Sequence, residues 1–206
     1  MFRKTLIVGS LLMAAGPVFA QNLLVNPGFD EPDQLTGWTC DSNYGQASWS
    51  PIDSLGLAGS GSMQHYVAAA DPNKYVSCWQ CVPVTELWTY VMSGWYFWPD
   101  DPDVSQMGSS RWSFAFYSDT DCTVSLSVST TSTSFQPPLD TWRHLVTDEI
   151  MAPAGSLSAR IHVLTWQDLA NEPVRTRLDD LDFSATTLFR DGFETGNLSE
   201  WSASVP

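Results

Sequence analysis

Between Leu23 and Ser184 the chain is a succession of short segments in which apolar and polar side chains alternate, rich in Val, Thr, Trp, Tyr and Phe. Clusters of Gly, Pro, Asp and Ser separate them. A period of two is the pattern of a strand that buries one face, and nowhere does an extended run show the spacing of a long amphipathic helix. The pattern predicts strands over Leu23–Asn26, Gly37–Cys40, Ala47–Ser50, Ser62–Ala68, Tyr75–Val84, Trp88–Trp98, Trp112–Ser118, Thr123–Ser129, Thr141–Ile150, Leu157–Trp166 and Arg175–Ser184. So many strands in one domain do not lie comfortably in a single open sheet. The expectation is an all-β sandwich of two antiparallel sheets packed face to face.

The same alternation sorts side chains by face. Ala159, Ile161 and Val163 share one side of their strand, the core side, and Arg160, His162, Leu164 and Trp166 share the other. Trp112, Phe114 and Phe116 fall together on an apolar face. The segment Trp88–Trp98 is apolar on both sides, so it is either covered twice or lines a site with one face.

The first twenty residues follow a different logic. Arg3 and Lys4 precede an apolar run that ends at Gly16-Pro17, and Val18-Phe19-Ala20 supplies the small residues of a cleavage site. Residues 1–20 are thus predicted to be a signal peptide cut after Ala20. One domain over residues 21–186 and a short Ser-, Asn- and Gly-containing tail over residues 187–206 are expected to remain. No later stretch approaches the roughly 20 apolar residues of a membrane span. The expectation is a secreted protein, extracellular or periplasmic, without a membrane span. The formal charge is −14 for the whole sequence and two units more negative once Arg3 and Lys4 are removed. Nucleic acid and anionic lipid are poor partners for such a field, whereas neutral glycans and divalent cations are not repelled by it.

Four cysteines, Cys40, Cys78, Cys81 and Cys122, in an exported chain predict two disulfides. Cys78-x-x-Cys81 lacks the second close pair that a zinc site would need. Bridging those two to each other is disfavoured, because residues three apart in an extended strand lie too far from one another. The other two pairings remain open on these grounds.

The opening Asn22-Leu23-Leu24-Val25-Asn26-Pro27-Gly28-Phe29-Asp30, followed by Gly37-Trp38, resembles the start of the calcium-bearing jelly-roll carbohydrate-binding modules of the galactose-binding-like group. The segments Ser158-Ala159-Arg160-Ile161-His162-Val163 and Arg177-Leu178-Asp179-Asp180-Leu181-Asp182-Phe183 are similar to the last two strands of those modules. The tail from Phe189 resembles a C-terminal segment of exported Gram-negative proteins. The resemblance implies a jelly roll, core positions for Trp38 and Trp142, and disulfides Cys40–Cys78 and Cys81–Cys122. It also implies a structural Ca²⁺ held by Asp30 and Asp179, with Asp180 as the alternative to Asp179. A polysaccharide or cell-surface glycan is the implied partner. Flat aromatic side chains aided by hydrogen-bonding groups bind sugars, and the expected ligand-binding residues are Trp98, at the mouth of an acidic loop, and Trp166 beside His162 and Arg160.

Catalytic chemistry leaves no signature. Leu57-Ala58-Gly59-Ser60-Gly61 lacks the first glycine of a nucleophile elbow, and His65, His144 and His162 have no metal-binding spacing. The expected function is non-catalytic carbohydrate binding. The alternatives are an adhesive or structural envelope protein without a sugar ligand, or a small polysaccharide hydrolase or lyase.

Overall fold

A computed structural model describes residues 21–68, 74–102, 108–134, 139–167 and 173–186. The expected signal peptide and the C-terminal tail lie outside the described residues. Eleven strands run in chain order: β1 (Thr39–Ser42), β2 (Gly45–Ser50), β3 (Ser62–Val67), β4 (Tyr75–Pro83), β5 (Thr89–Phe97), β6 (Gly108–Tyr117), β7 (Ser125–Ser134), β8 (Trp142–Val146), β9 (Ile150–Met151), β10 (Ser158–Gln167) and β11 (Val174–Ala185). They form a five-stranded sheet in the order β1-β4-β10-β6-β7 and a six-stranded sheet in the order β2-β3-β11-β5-β8, with the short β9 also on β5. Every pairing is antiparallel. The fold is therefore the two-sheet β-sandwich that the alternation implies.

The core lies where the inner faces meet. From the five-stranded sheet come Trp112, Phe114 and Phe116 of β6 and Ala159, Ile161 and Val163 of β10, all fully buried. From the six-stranded sheet come Met63, Met92, Leu178 and Phe183. Rings lock the layers together, Phe114 against Phe183 at 5.2 Å and Tyr90 against Phe116 at 5.8 Å. One polar link crosses the same interior. The His65 ring of β3 meets Thr165 Oγ1 of β10 at 3.0 Å, and that hydroxyl meets Thr176 Oγ1 of β11 at 2.6 Å.

Both disulfides are those the resemblance implies. Cys40 and Cys78 stand directly opposite each other on β1 and β4, and Cys81 of β4 is joined to Cys122 in the turn after β6. Two such bonds mark a chain that folds in an oxidising compartment. Among the described residues no helix is long and apolar enough to cross a membrane.

Three expectations need correction. Residues 23–26 are not a strand: Leu23 makes one backbone bond to Phe183, after which Val25 exchanges both its backbone bonds with the Gln80 side chain of the other sheet. The segment crosses the end of the sandwich, and a side-chain amide replaces a neighbouring strand. The stretch Thr141–Ile150 divides into β8 and β9, because Thr147 Oγ1 accepts the Met92 amide and takes a ladder position away from the backbone. Trp142 is only half buried and packs on Phe97 at 5.2 Å, outside the main core.

Candidate functional site

Alternation along β4 buries Val76, Cys78, Gln80 and Val82 and turns Tyr75, Ser77, Trp79 and Cys81 outward. Its neighbour β10 turns Arg160, His162, Leu164 and Trp166 outward, and β6 adds Arg111, Ser113, Ala115 and Tyr117. The register sets these side chains in rows across the sheet. Cys81, Arg160 and Ala115 form one row, and Trp79, His162 and Ser113 the next. Ser77, Leu164 and Arg111 follow, and Tyr75, Trp166 and Ser109 come last.

A trough of about 280 Å³ opens on this face, lined by Trp79, Tyr117, Arg160, His162, Asp41, Ser77, Ser113 and Ala115. Arg160 is its centre. The guanidinium lies 4.5 Å from the Trp79 ring and 5.3 Å from that of Tyr117, and it donates from Nη2 to the Cys122 carbonyl at 2.6 Å. That carbonyl is held in place covalently. The Cys81–Cys122 bond pins the turn after β6 onto the outer face, where Cys122, Tyr117 and Ala115 make a small apolar cluster apart from the main core. Asp119 tightens the same turn by accepting the amides of Thr123 and Val124, at 3.0 and 3.1 Å, while its carbonyl accepts from Ser158 Oγ at 2.6 Å. Burial, and then the charge of Arg160, push the pKa of His162 down, so at neutral pH it is an uncharged ring with one donor and one acceptor.

Of the expected ligand-binding residues, Arg160 and His162 line the trough. Trp166 shares their face but sits two rows beyond His162, half buried, stacked on Tyr75 at 5.9 Å with Arg111 5.1 Å from its ring. Trp98 does not join them. It is 3% exposed within the core, and its carbonyl accepts from the Asp140 amide, so the segment after residue 138 closes over the end of β5. Buried there, its indole offers no face to a ligand. Trp79, Tyr75, Tyr117, Arg111 and Asp41 enter the site without having been singled out by sequence. For β4 the outward set was readable from alternation, but its placement beside β10 was not.

The acids expected at a metal site lie elsewhere, where residues 26–30 meet β11. A Cβ on Gly28 would stand 3.5 Å from Asp180 Oδ1 and 3.8 Å from Asp30 Oδ2, so bare glycine leaves both carboxylates facing one space. Asp179 is wholly buried, fixed by the Ser54 amide at 2.7 Å and the Asp180 amide at 2.8 Å. Burial, opposed by the Ser54 amide and aided by Asp180, pushes its pKa up to about 7. A buried carboxyl next to a second carboxylate is an environment that a cation relieves. Among the described residues no three His, Cys, Asp or Glu side chains close on one point. Any Ca²⁺ here would therefore draw much of its six to eight oxygens from carbonyls and water, which suits a hard cation at a turn.

No family model and no curated protein matches the chain. Solved structures do match it in fold. TmCBM61, solved in complex with β-1,4-galactotriose, aligns with a TM-score of 0.52 at 15% identity, over 79% of this chain and 97% of that one. A putative sugar binding protein from Bacteroides thetaiotaomicron aligns at 0.51 and 11% identity, over 80% of this chain and 100% of that one. The enzymatically active domain of tailspike protein 4 from bacteriophage CBA120 aligns at 0.60 and 11% identity, over 80% of this chain but 21% of that one. The chain thus spans about a fifth of the tailspike domain and nearly all of the other two proteins. It has the β-sandwich fold of carbohydrate-binding modules.

Proposed function

We propose that this protein binds a saccharide, without cleaving it, on the outer face of its five-stranded sheet. The observation that carries the reading is the trough around Arg160, where an aromatic wall (Trp79, Tyr117) stands next to directional hydrogen-bonding groups (Arg160, His162, Asp41). A sugar ring presents C–H patches to such walls and hydroxyls to such groups, and a shallow open trough suits an extended chain. The galactotriose complex of TmCBM61, a structure of the same fold, supports this reading, although function resides in the site rather than the fold.

In the same proposal residues 1–20 direct export, consistent with the two disulfides, and a Ca²⁺ held by Asp30 and Asp180, whose carboxylates face one space at Gly28 beside the buried Asp179, has a structural role. The ion would tie the opening segment to the closing strand of the six-stranded sheet, whereas the trough lies on the five-stranded one. The test is retention of the mature chain on a panel of insoluble polysaccharides and a glycan array, with Trp79→Ala in parallel. Retention that Trp79→Ala abolishes while the fold persists is the expected result. No retention on any glycan would overturn the reading, and release of reducing ends or unsaturated sugars would overturn its non-catalytic part.

A further inference from the structure

We propose that the saccharide held on this face is an acidic one, whose carboxylate or sulfate groups are met by Arg160 and Arg111; this rests on the saccharide-binding reading above. The motive is how the chain distributes its few cations. Lys and Arg number 9 against 23 Asp and Glu, so the acids outnumber the cations they could pair with. On the six-stranded sheet the acids do their work: Arg175 is ion-paired with Asp101, and Arg177 lies in the field of both Asp140 and Asp101. The five-stranded sheet differs. Among the described residues neither Arg160 nor Arg111 has a carboxylate within ion-pair distance.

Instead each guanidinium lies over an indole, Arg160 over Trp79 and Arg111 over Trp166. An aromatic face holds the planar fork in position but does not supply a counter-charge. Arg160 spends one nitrogen on the neutral Cys122 carbonyl, and its Nε is buried with no hydrogen-bond partner. A guanidinium that lines the trough and has no ion-paired carboxylate among the described residues is suited to an anion, a carboxylate or sulfate. Asp41, on the edge strand two positions from β10, has Oδ1 engaged by the Ser42 amide and places the acidic rim on the opposite side of the trough from β6. The ligand's charges are thereby directed toward β10 and β6.

Spacing adds a requirement of length. The rows of Arg160 and Arg111 are four residues apart along the strand, about 13 Å at the rise of a β-strand. A single sugar does not reach both, so the ligand is a chain with repeated acidic groups. The overall negative charge of the protein does not oppose this at contact, since opposite charges a few ångströms apart outweigh screened ones beyond a Debye length.

The experiment titrates the full mature chain with oligogalacturonate, with its methyl-esterified counterpart and with a sulfated galactan oligosaccharide. Esterification removes the charge and keeps the backbone. At least tenfold tighter binding of one acidic oligosaccharide over the ester is expected, and which acid wins names the source of the anion. Arg160→Gln and Arg111→Gln should each lower that affinity about tenfold, while Arg175→Gln on the other sheet should leave it unchanged. Should Arg160→Gln unfold, Arg111→Gln alone decides, because that side chain is exposed. Binding of the ester as tight as that of the acids, or an acid preference that survives both substitutions, would overturn the inference and leave the saccharide reading intact. Failure to bind any saccharide, here and on the glycan panel, would overturn both.

Discussion

His65 gives a sharp physical test of how the two sheets are joined. It is fully buried, with Nδ1 3.0 Å from Thr165 Oγ1 and Nε2 3.1 Å from Met63 Sδ. Burial, reinforced by His162, lowers its pKa from 6.5 to about 3. In the unfolded chain the same ring takes a proton near pH 6.5. Between these values the unfolded state binds a proton that the folded state refuses, so the stability associated with His65 is complete above pH 6.5 and is lost as the pH falls toward 3. At about 1.4 kcal/mol per pH unit the whole window amounts to about 5 kcal/mol, and about 2 kcal/mol is lost by pH 5. His65→Gln removes the titrating group and keeps a polar partner for Thr165, whose bond to Thr176 persists. Urea unfolding of both proteins from pH 8 to pH 4.5 provides the assay, and their difference cancels the titrating groups that do not interact with His65. The variant is expected to be the less stable at pH 8 and to gain on the wild type by about 1.4 kcal/mol per unit below pH 6.5. A difference that stays flat from pH 7.5 to 4.5 would refute the reasoning.

Three further outcomes are expected. Trp166→Ala should weaken saccharide binding by roughly 1 to 3 kcal/mol in affinity electrophoresis, with little change in Tm, because the ring lies outside the core. A Tm lower by many degrees with undiminished retention would make the ring structural. Replacing Cys81 and Cys122 by Ser should cost about 4 kcal/mol for a sequence separation of 41 and abolish retention where the protein is still folded, since the carbonyl that anchors Arg160 is released. The equivalent change at Cys40 and Cys78 costs about as much in the same model but spares retention, and equal retention by both pairs would argue against that anchor. Millimolar Ca²⁺ should raise Tm, by an amount corresponding to about 2.7 kcal/mol at a hundredfold excess over Kd, and Asp180→Asn should remove most of the rise. Identical melting in chelator and in calcium would dismiss the ion.

Within each strand, the order of residues alone determined which side chains face the core. Ala159, Ile161 and Val163 are buried and Arg160, His162 and Trp166 face outward because the pleat imposes a period of two whatever the strand's neighbours are. The number of cysteines and the sandwich class follow from equally local signals. What only the tertiary structure decided is who meets whom. Trp79, Tyr117 and Arg160 converge because β4, β10 and β6 lie side by side, a pairing between residues far apart in the chain that is settled by closing loops and filling one core. Trp98 and Trp142 departed from their expected positions for the same reason, the first covered in the core and the second half buried outside it. Trp98 follows the last residue of β5 and Trp142 begins β8, where alternation stops predicting orientation and a neighbouring segment decides what is covered. Charge shows the contrast most plainly: composition sums to a negative protein that disfavours acidic partners, and only the sheet register reveals a face on which two arginines stand without an ion-paired carboxylate among the described residues, because a net charge carries no information about position.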